Sequence, residues 1–364
     1  MEKRKWKVAV VGCGNFADWQ YFPNISGVAN AECVAACDII PERAKAAAEK
    51  WNIPNWYPNV YELIEKCDFD IAIDAASIPA HHEINMAVLK AGKHLISQKP
   101  AALTVEDMTE QIEQAKKSKV LFTAVPIHAM RPDILRAKQL IQDGAIGDVL
   151  LIKCVSTHGG PEYFQYRDAD PTWFFEPGAG ALYDMGVHAL HQVTAIMGPA
   201  KRVSCMVTIG MKERVVRSGL YDGKKIKTDK IPDHYFICLD FGNDKIGFVD
   251  TGFCQRATRS VPLEIFGSLG AISFDPPGTV WGDPKLYVDS PERGFRGWVE
   301  QESWVNPPKR IKNQCCCLTD LIDALENNIT PLLTPEHARH VIEIMCAIPK
   351  AIETGGCIEL KTTF

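Results

Sequence analysis

Residues 8–17, Val-Ala-Val-Val-Gly-Cys-Gly-Asn-Phe-Ala, set the strongest constraint on the fold: an apolar strand runs directly into a glycine turn near the start of the chain. Gly12 permits a tight turn, Gly14 lets the backbone approach a pyrophosphate, and Ala17 is small enough for the next helix to pack on the strand. A second apolar strand, residues 33–37, leads to Asp38, at about the 20-residue spacing of a ribose-binding acid. Together these features predict a βαβ unit with a dinucleotide on the helix N-terminus. The competing reading makes Gly12 and Gly14 an ordinary turn and Asp38 a cap before Pro41. A carboxylate at Asp38 accepts from ribose hydroxyls and repels a 2′-phosphate, and Ile39 and Ile40 offer no cation, so NAD is expected rather than NADP. Arg43 blurs that preference, since it could reach towards a phosphate or lie exposed on the first helical turn.

Strand and helix patterns then alternate: helix 41–51, short helix 59–66, strand 70–75, helix 80–91, strand 94–97, helix 105–117, strand 120–125 and an amphipathic helix 131–143 ending at Gly144. This is the pattern of a doubly wound parallel sheet. From residue 148 the character changes to strands at 149–156, 202–209, 235–241, 246–254, 261–266 and 271–274, whose short Gly/Asn/Asp connections predict an antiparallel sheet. One helix interrupts them at about 179–197, two more (315–327 and 335–353) follow, and residues 278–308 fit no element. The chain of 364 residues exceeds the usual reach of one core, giving an α/β domain over 1–126 and an α+β domain with a large open antiparallel sheet over 127–364.

Composition narrows the partners. Forty Lys and Arg against 45 Asp and Glu give a net charge of −5 without long runs of one sign, so neither nucleic acid nor an anionic membrane is an expected partner. The cluster Lys224, Lys225, Lys227 and Lys230 reads as a solvated hairpin loop. Residues 1–7 enter the first strand without an apolar signal region, and no segment has the length of a membrane span, so the expected location is the cytoplasm. The 13 cysteines lack paired zinc spacing and read as reduced core thiols; Cys315, Cys316 and Cys317 point three ways around a helix, and position alone marks Cys13 as oxidation-sensitive.

Two constellations carry chemistry. Asp184, His188 and His191 stand at i, i+4 and i+7, on one face of an α-helix, after Gly178-Ala-Gly180 and around Gly186, where a side chain would obstruct a close approach. A histidine held by a carboxylate is the makeup of a general base; the bland alternative is a helix face hydrogen-bonding across a domain interface. Lys99 follows an apolar strand and precedes Pro100, at the sheet end where open α/β folds bind ligands, and its ammonium can stabilise charge developing on a substrate oxygen.

The ordered set Val10-Val-Gly-Cys-Gly-Asn-Phe-Ala17, Ser77-Ile-Pro-Ala-His-His82, Ala91-Gly-Lys-His94 with Lys99-Pro100, Leu140-Ile-Gln-Asp-Gly-Ala-Ile-Gly147, Gly178-Ala-Gly-Ala-Leu-Tyr-Asp-Met-Gly-Val-His188 and Phe266-Gly-Ser-Leu-Gly270 resembles the glucose-fructose oxidoreductase/inositol dehydrogenase (Gfo/Idh/MocA) family over nearly the whole chain. The resemblance implies a Rossmann domain, a C-terminal sheet that joins dimers or tetramers, and hydride transfer at a secondary hydroxyl of a sugar, glycoside or cyclitol. It implies cofactor contacts at Gly12, Gly14, Asn15, Phe16, Asp38, Ser77, His82, Gln98 and Lys99, and Lys99, Asp184 and His188 match the family's catalytic lysine, aspartate and histidine. His188 would take the hydroxyl proton, Asp184 would orient or charge it, and Lys99 would polarise the same oxygen. His128, His158, Asp170, Trp173 and His191 are further candidates for substrate contact, the polar and aromatic stretch 158–175 suits a sugar, and no arginine cluster argues for a phosphorylated one.

Three departures stand out: Gln98 in place of the family's usual Glu, His128 near a position often held by Arg, and His191 where Asp or an apolar residue is common. Asp184, His188 and His191 would also make a three-ligand metal face, but the hydride mechanism uses them without one and no metal is expected. Two rival functions remain at this level. A redox-neutral enzyme of the same fold would recycle tightly held NAD while cleaving a glycoside, without accumulating NADH; a non-catalytic NAD-binding regulator would turn nothing over.

Overall fold

The computed structural model describes residues 4–163, 169–274, 284–299 and 313–364. They form two compact units: the described residues of 1–127 with those of 311–342, and the described residues of 128–310 with 343–364.

The first unit is a six-stranded parallel sheet in the order β3-β2-β1-β4-β5-β6, where β1 is Trp6–Val11, β2 Ala31–Cys37, β3 Asn55–Tyr57, β4 Ile71–Asp74, β5 His94–Ser97 and β6 Phe122–Ala124. Val8, Ala9, Val10, Ile71, Ala72, Ile73, Leu95 and Ile96 are all fully buried, as strands covered on both faces require. The connecting helices begin where local chemistry satisfies their free N–H groups: Asn59 accepts from the amide of Glu62, Thr104 from that of Asp107, and Pro41 opens the helix Pro41–Trp51. The order reverses between β1 and β4, which puts the glycine turn beside the turn after β4. A Cβ on Gly12 would lie 2.5 Å from the Ala76 amide, and its φ of +92° lies where side-chain-bearing residues are strained, so only glycine fits. The helix Cys316–Asn327 also belongs here: the Cys315 thiol donates to the Tyr21 carbonyl, and Glu326 accepts from Asn30 and Trp6.

In the second unit, nine strands follow the order β16-β15-β14-β13-β7-β12-β11-β8-β17: β7 is Val149–Thr157, β8 Arg202–Thr208, β11 His234–Gly242, β12 Lys245–Gly252, β13 Leu263–Gly267, β14 Gly270–Ser273, β15 Lys285–Ser290, β16 Phe295–Val299 and β17 Ile358–Glu359. Glu213–Val215 (β9) and Lys225–Lys227 (β10) form a separate hairpin. The sheet is antiparallel except for one pair: β7 and β12 run parallel. A long crossover separates these two strands, so the tight-turn argument for antiparallel pairing does not reach them. Strands β15 and β16 fall inside 278–308, which the sequence left unassigned; 275–283 and 300–312 lie outside the described residues, as do 164–168 of the aromatic stretch.

The helix expected over 179–197 is two pieces. Leu182–Gly186 is a π-helical turn and Val187–Met197 an α-helix, which packs on β7 and β12. Glycine makes this seating close: a Cβ on Gly186 would meet Leu182 Cδ1 at 2.9 Å and Thr251 Cγ2 at 3.4 Å. Among the described residues no helix is long and apolar enough to cross a membrane.

Candidate active site

At the strand ends of the first unit, the carboxylate beside the glycine turn is fixed by backbone groups. The Asp38 carboxylate accepts from the amide of Cys13 at 2.8 Å and that of Ile40 at 2.9 Å, while Gly12 N–H donates to the Cys37 carbonyl at 2.8 Å. Asp38 therefore ties the glycine turn to the end of β2 and also takes the Ile40 amide just before Pro41. Its oxygens keep lone pairs for ribose hydroxyls. Gly14 is the residue before the helix Asn15–Gln20, and a Cβ there would project into open space, the room a pyrophosphate needs. These features fit NAD; the turn at Gly12–Gly14 would hold the pyrophosphate and Asp38 the ribose. Phe16 stands edge-on to Tyr21 with ring centroids 6.0 Å apart. The Cys13 thiol donates to the Cys37 carbonyl, and burial with the neighbouring Asp38 carboxylate drives its pKa up, which disfavours the reactive thiolate.

Ser77 precedes the short 3₁₀ turn Ile78–Ala80. That turn is anchored by a pair the sequence reading passed over: buried His81 Nδ1 lies 2.6 Å from Asp74 Oδ2, and Asp74 Oδ1 accepts from the Ala76 amide at 3.0 Å. His82, one residue on, faces the helix Val105–Ser118 instead, with Glu110 at 3.3 Å from Nε2 and Gln111 at 3.3 Å from Nδ1. Lys99 follows β5 and joins Pro100 through a cis peptide bond. Around it, buried Asn85 donates to Ser97 Oγ at 3.0 Å and to Gln111 Oε1 at 2.9 Å, and Gln98 donates through Nε2 to the buried Tyr21 hydroxyl. The amide of Gln98 thus has a neutral partner where a carboxylate would have placed a second charge near Lys99.

In the second unit, side chain meets side chain. His188 Nδ1 lies 2.8 Å from His128 Nε2, the two rings nearly perpendicular at 83°. Asp184 Oδ2 is 3.7 Å from His158 Nε2. His158 Nδ1 accepts from the Gly160 amide at 2.9 Å, so the neutral ring carries its proton on Nε2, facing Asp184. Because Asp184 sits in the π turn, the one-stripe arithmetic for residues 184, 188 and 191 does not apply to it; π turns recur at functional sites. His191 is buried, 3 % exposed. Among the described residues, no three His, Cys, Asp or Glu side chains come together as a metal set.

Aromatic rings back these groups. His158 stacks on Phe253 at 4.8 Å, Phe174 and Phe175 meet Phe253 edge-on, and Trp173, 46 % exposed, stacks on Phe174 at 3.8 Å. Asp170 caps this segment through the Thr172 amide and pairs with Lys224, which holds its carboxyl down at about pKa 2; Lys230 pairs with Glu176 at the other end. Two lysines of the supposed solvated loop therefore clip the Trp173 segment at both ends.

Sequence reading missed two further braces. Arg131 forks onto Asp133, donates to Gln192 Oε1 at 3.2 Å, and gives its backbone N–H to the His128 carbonyl, while Gln192 Nε2 donates to the His188 carbonyl. Arg214, 1 % exposed in its side chain, lies between Glu162 and Asp233, each at 2.8 Å, and donates to the carbonyls of Gly159 and Phe253. Arg131 beside Pro132 and Asp133 gives a local hint, whereas Arg214, within Lys212-Glu213-Arg214, reads in the sequence as one more surface charge.

Comparison with known proteins gives two family matches: "Oxidoreductase family, NAD-binding Rossmann fold" over residues 6–125 and "GFO/IDH/MocA C-terminal domain" over residues 134–273. A trans-1,2-dihydrobenzene-1,2-diol dehydrogenase from Xenopus tropicalis is 30% identical over 262 residues, 72% of this chain and 71% of that one. A levoglucosan dehydrogenase from Pseudarthrobacter phenanthrenivorans is 27% identical over 252 residues, 65% of this chain; the match spans only 63% of that protein's length. A solved levoglucosan dehydrogenase in complex with NADH and L-sorbose has the same fold, with a TM-score of 0.81, 21% identity, and coverage of 98% of this chain and 99% of that one.

Proposed function

From the premise that the chain belongs to the Gfo/Idh/MocA family of NAD-binding oxidoreductases, we propose that it oxidises a secondary hydroxyl of a sugar, glycoside or cyclitol, with His188 as the general base. The observation that carries this reading is the anchoring of His188: one ring nitrogen is engaged by His128, its backbone carbonyl by Gln192, and Gln192 in turn by Arg131. A base so held keeps its other nitrogen in a fixed direction, as proton abstraction requires.

NAD, when bound, supplies the hydride acceptor. The protein's own residues do the rest. His188 takes the hydroxyl proton, Lys99 stabilises negative charge growing on the same oxygen, and the Asp184 carboxylate favours the protonated imidazole that results. His158 and Trp173 offer a ring face and a polar edge of the kind sugars use, with Asp170 as a further substrate contact. Relatives named for levoglucosan and for a dihydrobenzene diol support an alcohol substrate. Cofactor binding is assigned to 1–126, and substrate binding with self-association to 127–364 apart from the described residues of 311–342, which pack with the first unit.

The self-association surface is the open sheet face. Met206 pairs across strands with Phe236, Phe236 stacks on Phe248 at 5.7 Å, Ile246 pairs with Leu151, and Tyr287 meets Trp298; several of these are strongly exposed, Met206 by 79 %. Such exposed apolar side chains, interrupted by the Lys153–Glu264 ion pair, fit an isologous contact in a homodimer or homotetramer.

His188→Ala tests the base. Turnover is expected to fall roughly 10²- to 10⁴-fold with NAD affinity nearly unchanged. Near-normal turnover would remove His188 from the role.

A further inference from the structure

Within hydrogen-bond reach of the proposed base lies a second imidazole, and chemistry limits what the pair can do. At 2.8 Å, His128 Nε2 and His188 Nδ1 share one proton: one nitrogen donates and the other must be bare. If His128 donates, a neutral His188 carries its proton on Nε2 and has no basic nitrogen left for a substrate. If His128 accepts, His188 carries its proton on Nδ1 and presents a bare Nε2.

We propose that His128 accepts the bridging proton and thereby holds His188 in the Nδ1–H tautomer, making the two rings a dyad in which His128 is a positioning residue for the base. The inference rests on the reading of His188 as base. It also gives the abstracted proton a second home. When the substrate O–H bond breaks and its proton forms a bond to His188 Nε2, the bridging proton can cross from His188 Nδ1 to His128 Nε2. His188 is then neutral again, protonated on Nε2, and the single positive charge sits on His128. The dyad gains one proton in all. Two protonated rings would set two donors against each other, so the pair holds one added charge, not two.

The described charges nearby are consistent with a cation shared this way. Asp184 lies in the π turn that leads into the His188 helix and faces His158, which carries its proton on Nε2 when neutral. Arg131, three residues after His128, is neutralised by its fork onto Asp133. The perpendicular rings and the Arg131–Gln192 brace fix both partners from the backbone side.

The test is spectroscopic and needs no substrate. With ¹⁵N-histidine-labelled full-length protein, two-bond ¹H–¹⁵N correlation reads the tautomer of each neutral ring, and loss of one signal set in His188→Gln assigns His188. The expected result is a protonated Nδ1 on His188 in the wild type, retained in His128→Gln, whose amide oxygen can still accept, and lost in His128→Leu. Turnover on any oxidised sugar should fall about 10- to 100-fold in His128→Leu and less in His128→Gln. A wild-type His188 protonated on Nε2, or a tautomer indifferent to His128→Leu, overturns the proposal even if His188→Ala abolishes turnover. Conversely, a protein that oxidises no alcohol while showing the expected tautomer refutes the proposed function and leaves the dyad standing.

Discussion

The strand ends of the first unit and the His188 helix of the second hold their polar groups by different means. In the first, carboxylates meet backbone N–H groups brought close by a turn, Asp38 with the amides of Cys13 and Ile40 and Asp74 with that of Ala76, and the buried side-chain pair of Asp74 with His81 joins residues only seven apart. In the second, side chains from distant segments meet one another: His128 with His188, 60 residues apart, and Arg214 with Glu162, 52 apart. Backbone geometry fixed by glycine and strand order yields a rigid cradle for a ligand of fixed shape. Paired titratable side chains yield groups that can exchange protons.

If the second region depends on remote side-chain pairing, Arg214→Met should break it most. Glu162 and Asp233 would remain buried without their cation, at a cost of about 3–5 kcal/mol. For domains of this size that corresponds to a loss of roughly 6–20 °C in Tm, measured by calorimetry; an unchanged Tm would show that the triad does not hold this unit together. Next in size is Lys99→Met, expected to lower kcat about 10²- to 10³-fold, as loss of one group stabilising a developing oxyanion does, with little change in Tm. A pure KM effect would make Lys99 a binding residue and leave the chemistry to the second region.

Asp38→Ala probes the cradle. Losing a charged acceptor of ribose hydroxyls should weaken NAD binding about 10- to 100-fold and NADP binding far less, read by titration calorimetry. Equal weakening of both would mean that Asp38 serves only to tie the turn. The smallest effect concerns Asp320, whose carboxyl is pushed up to about 6 by burial. A carboxylate raised above its unfolded value disfavours the folded state once ionised, so this group costs nothing below the unfolded pKa and the cost is complete above pH 6. Asp320→Asn should therefore raise Tm by roughly 2–4 °C at pH 7.5, about 1 kcal/mol, and by nothing near pH 3.5. A gain independent of pH would point to packing instead.

The same contrast explains what the sequence disclosed. The parallel pairing of β1 with β2, the positive φ at Gly12 and the strand-end position of Asp38 follow from local rules, and residues 8–38 suffice to read them. The β7–β12 pair, the π turn at Leu182–Gly186 and the clip of Lys224 on Asp170 depend on which distant segments meet, which no local pattern encodes. His128 shows the limit most clearly: it stood out in the sequence as a departure near a usual arginine, yet its partner, His188, emerges only when two segments 60 residues apart are brought together.

The central claim is oxidation of a secondary alcohol with release of reduced cofactor, and NADH absorbance followed over time tests it most directly, with purified protein, NAD and a panel of monosaccharides, glycosides, anhydrosugars and cyclitols. Sustained accumulation on at least one compound, in amounts exceeding the protein many-fold, is the predicted result. Bound NAD with no net NADH on any of them, above all with cleaved glycoside in the same tubes, would contradict it.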